Sequence, residues 1–323
     1  MWFITTEEPE NIISSFTIGS NILPLPISMS LLNLRVNSWG LSLIFCPYFV
    51  YLALNNQPMN LKTLLLFSLL SCSATTFANE PLIPEHVSAY AKTDSVQIDK
   101  QAIADLLKTK TPITWLFTGN SITQGAKHTH GYRTYSEIFF ERVRYEMGRP
   151  RDIIINTAVS GNATVDILKD FDWRVSHLKP QVVFLMIGTN DASEKRNISV
   201  EQYGKNLEKF VDQIRALGAI PVFLSPTPIL EEEAVERKNL KQYVVKMEEI
   251  TKKRSVIFVN QWHYWNTELK AKYKDQWSKQ LLNDPLHPNG LGHKEMAINL
   301  FKELGIFDPK QPSGGGPYYE GVH

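Results

Sequence analysis

Cysteine is nearly absent from this sequence. The 323 residues contain two, Cys46 and Cys72, and none follows. The stretch after Cys72 can therefore form no internal disulfide and no thiolate metal site, and a core of this size can do without either. Excess charge of one sign is also lacking: 34 Lys and Arg stand against 33 Asp and Glu, a formal net charge of +1. No global field recruits nucleic acid or an anionic membrane, so a small neutral substrate is the expected partner. Charged residues make up 21% and hydrophobic residues 43% of the chain, an ordinary globular balance that excludes general disorder. No internal repeat is evident, and one large domain with extra sequence fits the length.

Residues 59–78 (MNLKTLLLFSLLSCSATTFA) read as a secretory signal peptide. Lys62 supplies the positive start, Thr63 to Leu70 the short apolar run, and Thr76-Phe77-Ala78 a small-residue cleavage site. Met59 can open this signal, which marks residues 1–58 as a misassigned upstream extension. A membrane span over Val36 to Leu54 competes, weakened by Asn37, Gly40 and Pro47. Leu69-Leu70-Ser71-Cys72 also resembles a bacterial lipoprotein box. Cleavage there would leave an outer-membrane lipoprotein anchored through Cys72, whereas cleavage after Ala78 leaves a periplasmic or secreted protein. Either way the expectation is export.

From Asn79 to Thr111 the chain is polar with a helical stretch, a lead-in to the domain at 112–312. Five short apolar runs follow: Ile113 to Phe117, Asp152 to Asn156, Val182 to Ile187, Ile220 to Leu224 and Val256 to Val259. They lack polar alternation, as strands covered on both faces do. Helical patterns separate them, over Tyr135 to Met147, Ser199 to Leu217, Glu231 to Lys252 and His293 to Leu304. In the second of these, Val200, Tyr203, Leu207, Phe210, Ile214 and Leu217 form one apolar stripe. Ser199 with Gln202 has the spacing of a capping box. This alternation predicts an α/β fold, a three-layer αβα sandwich on a flavodoxin-like parallel sheet of about five strands. Functional residues are then expected at the carboxyl ends of the strands. The glycine-rich tail, 313–323, is expected to be flexible.

Three strand ends and one late loop hold the informative residues: Gly119-Asn120-Ser121, Val159-Ser160-Gly161-Asn162, Gly188-Thr189-Asn190-Asp191 and Asp284-Pro285-Leu286-His287. Each has an innocent alternative. Ser121 could cap a helix, and the other blocks could be turns. Four innocent readings are needed at once, in register with predicted strand ends. Together the blocks resemble the four motifs of the SGNH/GDSL hydrolases, a likeness that spans Ile113 to Leu304. The resemblance implies Ser121 as nucleophile, His287 as general base and Asp284 as its orienting carboxylate. It implies an oxyanion hole from the Ser121 and Gly161 backbone N–H groups and the Asn190 amide. Asn120 and Asn162 stand where the family usually has Asp, outside that set.

His128 and His130 invite a metal reading, but two histidines without a third ligand nearby favour none. Neither a metal nor an organic cofactor is expected. Arg133 is a weak candidate for substrate contact, as are Trp262, Tyr264 and Trp265, whose rings could stack on sugars. The charged run Glu231 to Lys238 reads as a solvated helix face. The expected activity is hydrolysis of an O-acyl ester, with acetyl on carbohydrate the preferred substrate. A lysophospholipase, a thioesterase, an acyltransferase or a non-catalytic glycan-binding module on the same scaffold are the alternatives.

Overall fold

In this computed structural model the described residues run from 95 to 318, apart from Ala126. The signal-peptide, upstream-extension and Cys72 readings lie outside them. Among the described residues no helix is long and apolar enough to cross a membrane.

Five parallel strands form one sheet in the order β2-β1-β3-β4-β5. They are β1 (Thr114–Gly119), β2 (Ile153–Asn156), β3 (Val182–Met186), β4 (Ile220–Leu224) and β5 (Ile257–Val259). This is the doubly wound flavodoxin-like order, in which winding reverses between β1 and β3. The central strands lack polar alternation because both faces are covered: β3 is wholly apolar, and β1 adds only Thr114 and the buried Thr118 to its apolar run. Trp115, Phe117, Phe184 and Met186 point into one core with α3 (Tyr135–Glu141) and α7 (Gly290–Leu304). Leu116, Val183 and Leu185 point into the other with α5 (Val200–Ala216) and α6 (Leu240–Arg254). Phe117 and Phe184 stack at 4.3 Å across the β1–β3 pair. Edge strand β2 is the exception to full coverage, with Ile153 52% exposed.

Three local expectations need correction. Glu231 to Lys252 is not one helix: helix α6 begins only at Leu240. Residues before it are captured by tertiary bonds, Leu230 N–H to Pro285 O at 2.9 Å and Arg237 Nε to Thr189 O at 3.1 Å. Ser199 caps α5 through the Gln202 N–H at 3.1 Å, but Gln202 turns its own amide to Asn206 at 2.8 Å, so the reciprocal half of the box is not made. The glycine-rich tail does not start mobile. Ser313 is buried, and its N–H donates to Glu146 at 2.9 Å.

Helix α1 (Ser95–Lys108) leads into β1 and is fastened by one buried arginine. Arg149 donates to Leu107 O at 2.9 Å, Thr111 O at 2.9 Å and both oxygens of Asp152 at 2.8 and 3.0 Å. Asp152 also accepts from Ile113 N–H at 3.1 Å and Trp115 Nε1 at 2.9 Å. Removing the cation leaves a buried carboxylate uncompensated. Arg149→Met is therefore expected to lower unfolding free energy by about 3–5 kcal/mol in denaturant titration. A loss within the ±0.5 kcal/mol of a surface substitution would show that the clamp is dispensable.

Candidate active site

Strand β1 ends at Gly119, whose φ is +156° and where an added Cβ would lie 2.3 Å from Met186 O on β3. Only glycine allows the neighbouring strand so close. Asn120 follows as N-cap of the single-turn α2 (Ser121–Gln124), accepting from the Ile122 N–H at 3.0 Å. Ser121 is thus the first helical residue rather than the cap. Its environment is rigid: Thr123 Oγ1 bonds Tyr135 Oη at 2.8 Å, and Asn156 Nδ2 donates to Thr123 O at 2.6 Å.

The Asp284–His287 loop approaches from the other end of the chain. Ser121 Oγ lies 2.8 Å from His287 Nε2, across 166 residues of sequence. His287 Nδ1 lies 2.8 and 2.9 Å from the two oxygens of Asp284. The loop is shaped by the carboxylate it carries, since Asp284 Oδ1 also accepts from the Leu286 and His287 N–H groups at 2.8 and 2.9 Å. Asn289 then caps α7 by accepting from Gly292 N–H at 3.0 Å.

The electrostatics suit an ionised Asp284 and a neutral imidazole. Partial burial opposes the Asp284 charge, but the Leu286 N–H and the His287 ring and N–H hold its carboxyl below the ordinary range. Burial lowers His287 below the usual imidazole value of 6.5, against the pull of Asp284, with His128 and Arg237 lowering it further. Because an ionised carboxylate only accepts, the Nδ1 of His287 carries the ring hydrogen and Nε2 presents its lone pair to Ser121. A hydroxyl in this position can transfer its proton as it attacks an electrophile.

The loops after β2 and β3 meet beside this group. Ser160 N–H donates to Gln124 at 2.7 Å, fixing the loop of Gly161 to α2; Gly161 has φ +80°. Asn190 Nδ2 donates to Asn162 O at 3.0 Å, joining the two loops. Behind them Asp191 is fully buried and accepts from Thr164 N–H and Oγ1 at 3.0 and 2.5 Å. Arg237 was read as part of a solvated face. Its Nη2 instead reaches Asn190 Oδ1 at 3.3 Å, which orients that amide. Nothing local in the sequence marks this contact, because it depends on where the segment before α6 is held.

The aromatic candidates divide. Tyr264 and Trp265 are core, at 5% and 0% exposure, with Tyr264 Oη bonded to Glu295 at 2.9 Å. They cannot stack on a substrate. Trp262 is half-buried, packed in the same cluster as Leu286 of the His287 loop. Arg133 is paired with Glu141 and with Tyr318 Oη. It lines a cavity of about 740 Å³ together with Gln124, Glu137 and Phe140. His130 lines a second cavity, about 470 Å³, whose wall is shared by His128, Tyr132, Asn283 and Asn289.

His128 does gain acidic and histidine neighbours that its sequence surroundings lack. His128, Asp284 and His287 each offer a ligand atom within 4.8 Å of the others. The His128 and His287 rings are parallel, 2° apart, so their in-plane lone pairs do not converge on one ion without rotation. As it stands, His287 is hydrogen-bonded to Asp284, and His128 stacks on His287 with its Nδ1 2.9 Å from the same carboxylate.

The GDSL-like Lipase/Acylhydrolase family model matches residues 117–295. The chain belongs to this family of ester-bond hydrolases. An acetylxylan esterase of Geobacillus stearothermophilus is 25% identical over 208 residues, 59% of this chain and 93% of that protein. An uncharacterized protein of Mycoplasma pneumoniae is 35% identical over 113 residues, 34% of this chain but only 13% of its own length. Among solved structures, LAE5, an alpha/beta hydrolase enzyme from the metagenome of Lake Arreo, Spain, superposes with a TM-score of 0.52. It is 20% identical, over 61% of this chain and 98% of that one, a likeness of fold.

Asp191 makes stability depend on pH. Burial pushes its carboxyl up to about 6 from the ordinary 3.8, with the Thr164 bonds opposing. The folded protein therefore holds this proton more tightly than the unfolded chain, and stability falls as pH rises from 3.8 through about 6. Asp191→Asn is expected to gain stability relative to wild type across that window, measured by denaturant midpoints. Parallel profiles would show that Asp191 does not titrate there.

Proposed function

We propose that the domain hydrolyses O-acyl esters, acetyl groups on carbohydrate in particular, through an acyl-serine intermediate. The observation that carries this reading is the 2.8 Å contact between Ser121 Oγ and His287 Nε2, with Asp284 on the far side of the ring. Ser121 Oγ attacks the ester carbonyl carbon as its proton passes to His287 Nε2. The tetrahedral oxyanion would be held by the Ser121 and Gly161 N–H groups and by Asn190 Nδ2, whose second hydrogen remains after its bond to Asn162 O. Collapse expels the alcohol, which takes the proton from His287 and leaves acyl-Ser121. Water then adds with His287 as base, and the carboxylic acid departs as the serine is restored.

Two observations favour a small acyl group on a polar alcohol. The relative that aligns over most of its own length is named for acetylxylan. The cavity adjoining His128 is of mixed character, with His130, Thr129, Asn283 and Asn289 beside Tyr132, Leu282 and Leu291, rather than a uniformly apolar channel for a long acyl chain. Export completes the reading, on the signal-like pattern over residues 59–78.

A purified domain should cleave a chromogenic acetate ester, and Ser121→Ala should lose roughly 10⁴- to 10⁶-fold in kcat. Equal rates for both would refute the esterase. Among acyl chains, acetate should be preferred, and a preference for long chains would refute the carbohydrate part. Asn190→Ala should cost about 10²- to 10³-fold in kcat. The acid limb of kcat/KM should lie below pH 6.5, because burial lowers His287 from that value. A limb above it would mean that the resting ring is stabilised as the cation.

A further inference from the structure

His128 enters none of the steps above, yet it is the closest ring to the proposed base. It lies in the short turn Lys127–Thr129, four residues beyond the α2 helix that begins with Ser121. Its ring stacks face to face on His287 with centroids 3.5 Å apart and planes within 2°. Its Nδ1 lies 2.9 Å from Asp284 Oδ2, the same oxygen that His287 Nδ1 approaches to 2.8 Å. A carboxylate only accepts, so His287 Nδ1 donates a hydrogen bond to it, and the close contact of His128 Nδ1 with the same oxygen favours the N–H tautomer there as well. Backbone N–H groups of Leu286 and His287 already occupy Oδ1.

We propose that His128 is a positioning residue that shares the Asp284 carboxylate with His287 and so limits how strongly Asp284 supports charge on the reacting ring. This rests on the esterase reading only for its kinetic consequence. Asp284 accepts hydrogen bonds from three N–H groups, those of Leu286, His287 and the His287 ring, and the 2.9 Å contact of His128 Nδ1 draws on its charge from outside the triad. Each additional donor spreads that charge and weakens its attraction for the imidazolium that forms during proton transfer. The stacked ring also covers one face of His287, keeping water from it. A base held this way stays unprotonated at neutral pH, while Asp284 still fixes its direction.

The other groups facing His287 act as constants. Arg237, from the turn Val235–Arg237, opposes charge on it. His293 on α7 is fully buried, and burial pushes it down to about 3, so it stays neutral across the working range. Its Nδ1 is engaged by the Tyr135 N–H at 3.2 Å. Ser121 is uncharged. His128 is therefore the neighbour whose polar contact with Asp284 can be deleted without touching the triad.

The decisive measurement is an NMR titration of the His287 ring in the resting full domain. His128→Phe keeps a ring over His287 but removes the N–H. It is expected to raise the midpoint by roughly half to one pH unit, the equivalent of one lost hydrogen bond. His128→Ala should move it the same way, and His128→Asn, which restores a donor, should return it toward wild type. The acid limb of kcat/KM should follow these shifts, with KM on the plateau unchanged. An unmoved midpoint in both donor-free variants overturns the proposal, as does an effect confined to KM, which would make His128 a substrate contact. If wild type shows no Ser121-dependent turnover, the esterase reading fails, and the titration still decides the question of His128.

Discussion

Asp284 keeps a negative charge while partly withdrawn from water, beside the ring that the proposed reaction would make positive for less than a turnover. Everything around it is arranged for that. Two backbone N–H groups of its own loop turn toward Oδ1, which bends the chain so that His287 comes back over the same carboxylate. The loop's conformation and its electrostatics therefore have one cause. A neutral residue at 284 would remove the acceptor that folds the loop as well as the charge that orients the imidazole.

That loop would be useless without the sheet order. Winding reverses between β1 and β3, so the segments leaving these two strands diverge to opposite faces and open a crevice at the carboxyl rim. Ser121 leaves β1 there, Asn190 leaves β3, and Gly161 arrives on the loop from β2. Close packing makes the crevice rigid. The strand contact at Gly119 and the Phe117–Phe184 stack fix the β1–β3 pair beneath the serine. Asn156 and Gln124 then couple α2 to the loop after β2. Binding a transition state better than a ground state requires donors that do not move to meet it, and in the proposed reaction these cross-links would supply that rigidity.

The strands were legible because burial on two faces leaves apolar runs with no alternation; three of the four blocks were legible because each sits where such a run stops, and the fourth, Asp284 to His287, through its place in the family pattern. Properties that arise only from long-range contact were not. Arg237 carries the same charge pattern as a solvated helix, and nothing nearby in sequence says that it will reach Asn190 instead. Tyr264 and Trp265 differ from Trp262 only in which side of a short helical turn they occupy, and hydrophobicity is equal on both sides. His128 had no third partner legible beside it, because Asp284 lies 156 residues away and could not be counted as its neighbour. Gln202 could accept from the Ser199 N–H or donate to Asn206, and it turns to the buried Asn206.

The shared carboxylate and the buried Asp191 show two solutions to the same physical problem. Asp191 accepts from Thr164 but leaves one oxygen without a partner, and burial raises its proton affinity. Asp284 is less buried and surrounded by donors, and its affinity falls. The two residues lie on the two sides of the crevice, one behind the loops that hold Gly161 and Asn190, the other behind the base. The side that the proposed proton transfer needs charged is only partly buried and well supplied with N–H groups. The side that only ties loops together can tolerate a protonated carboxyl, since Asp191 can keep its Thr164 bonds through one oxygen in either form.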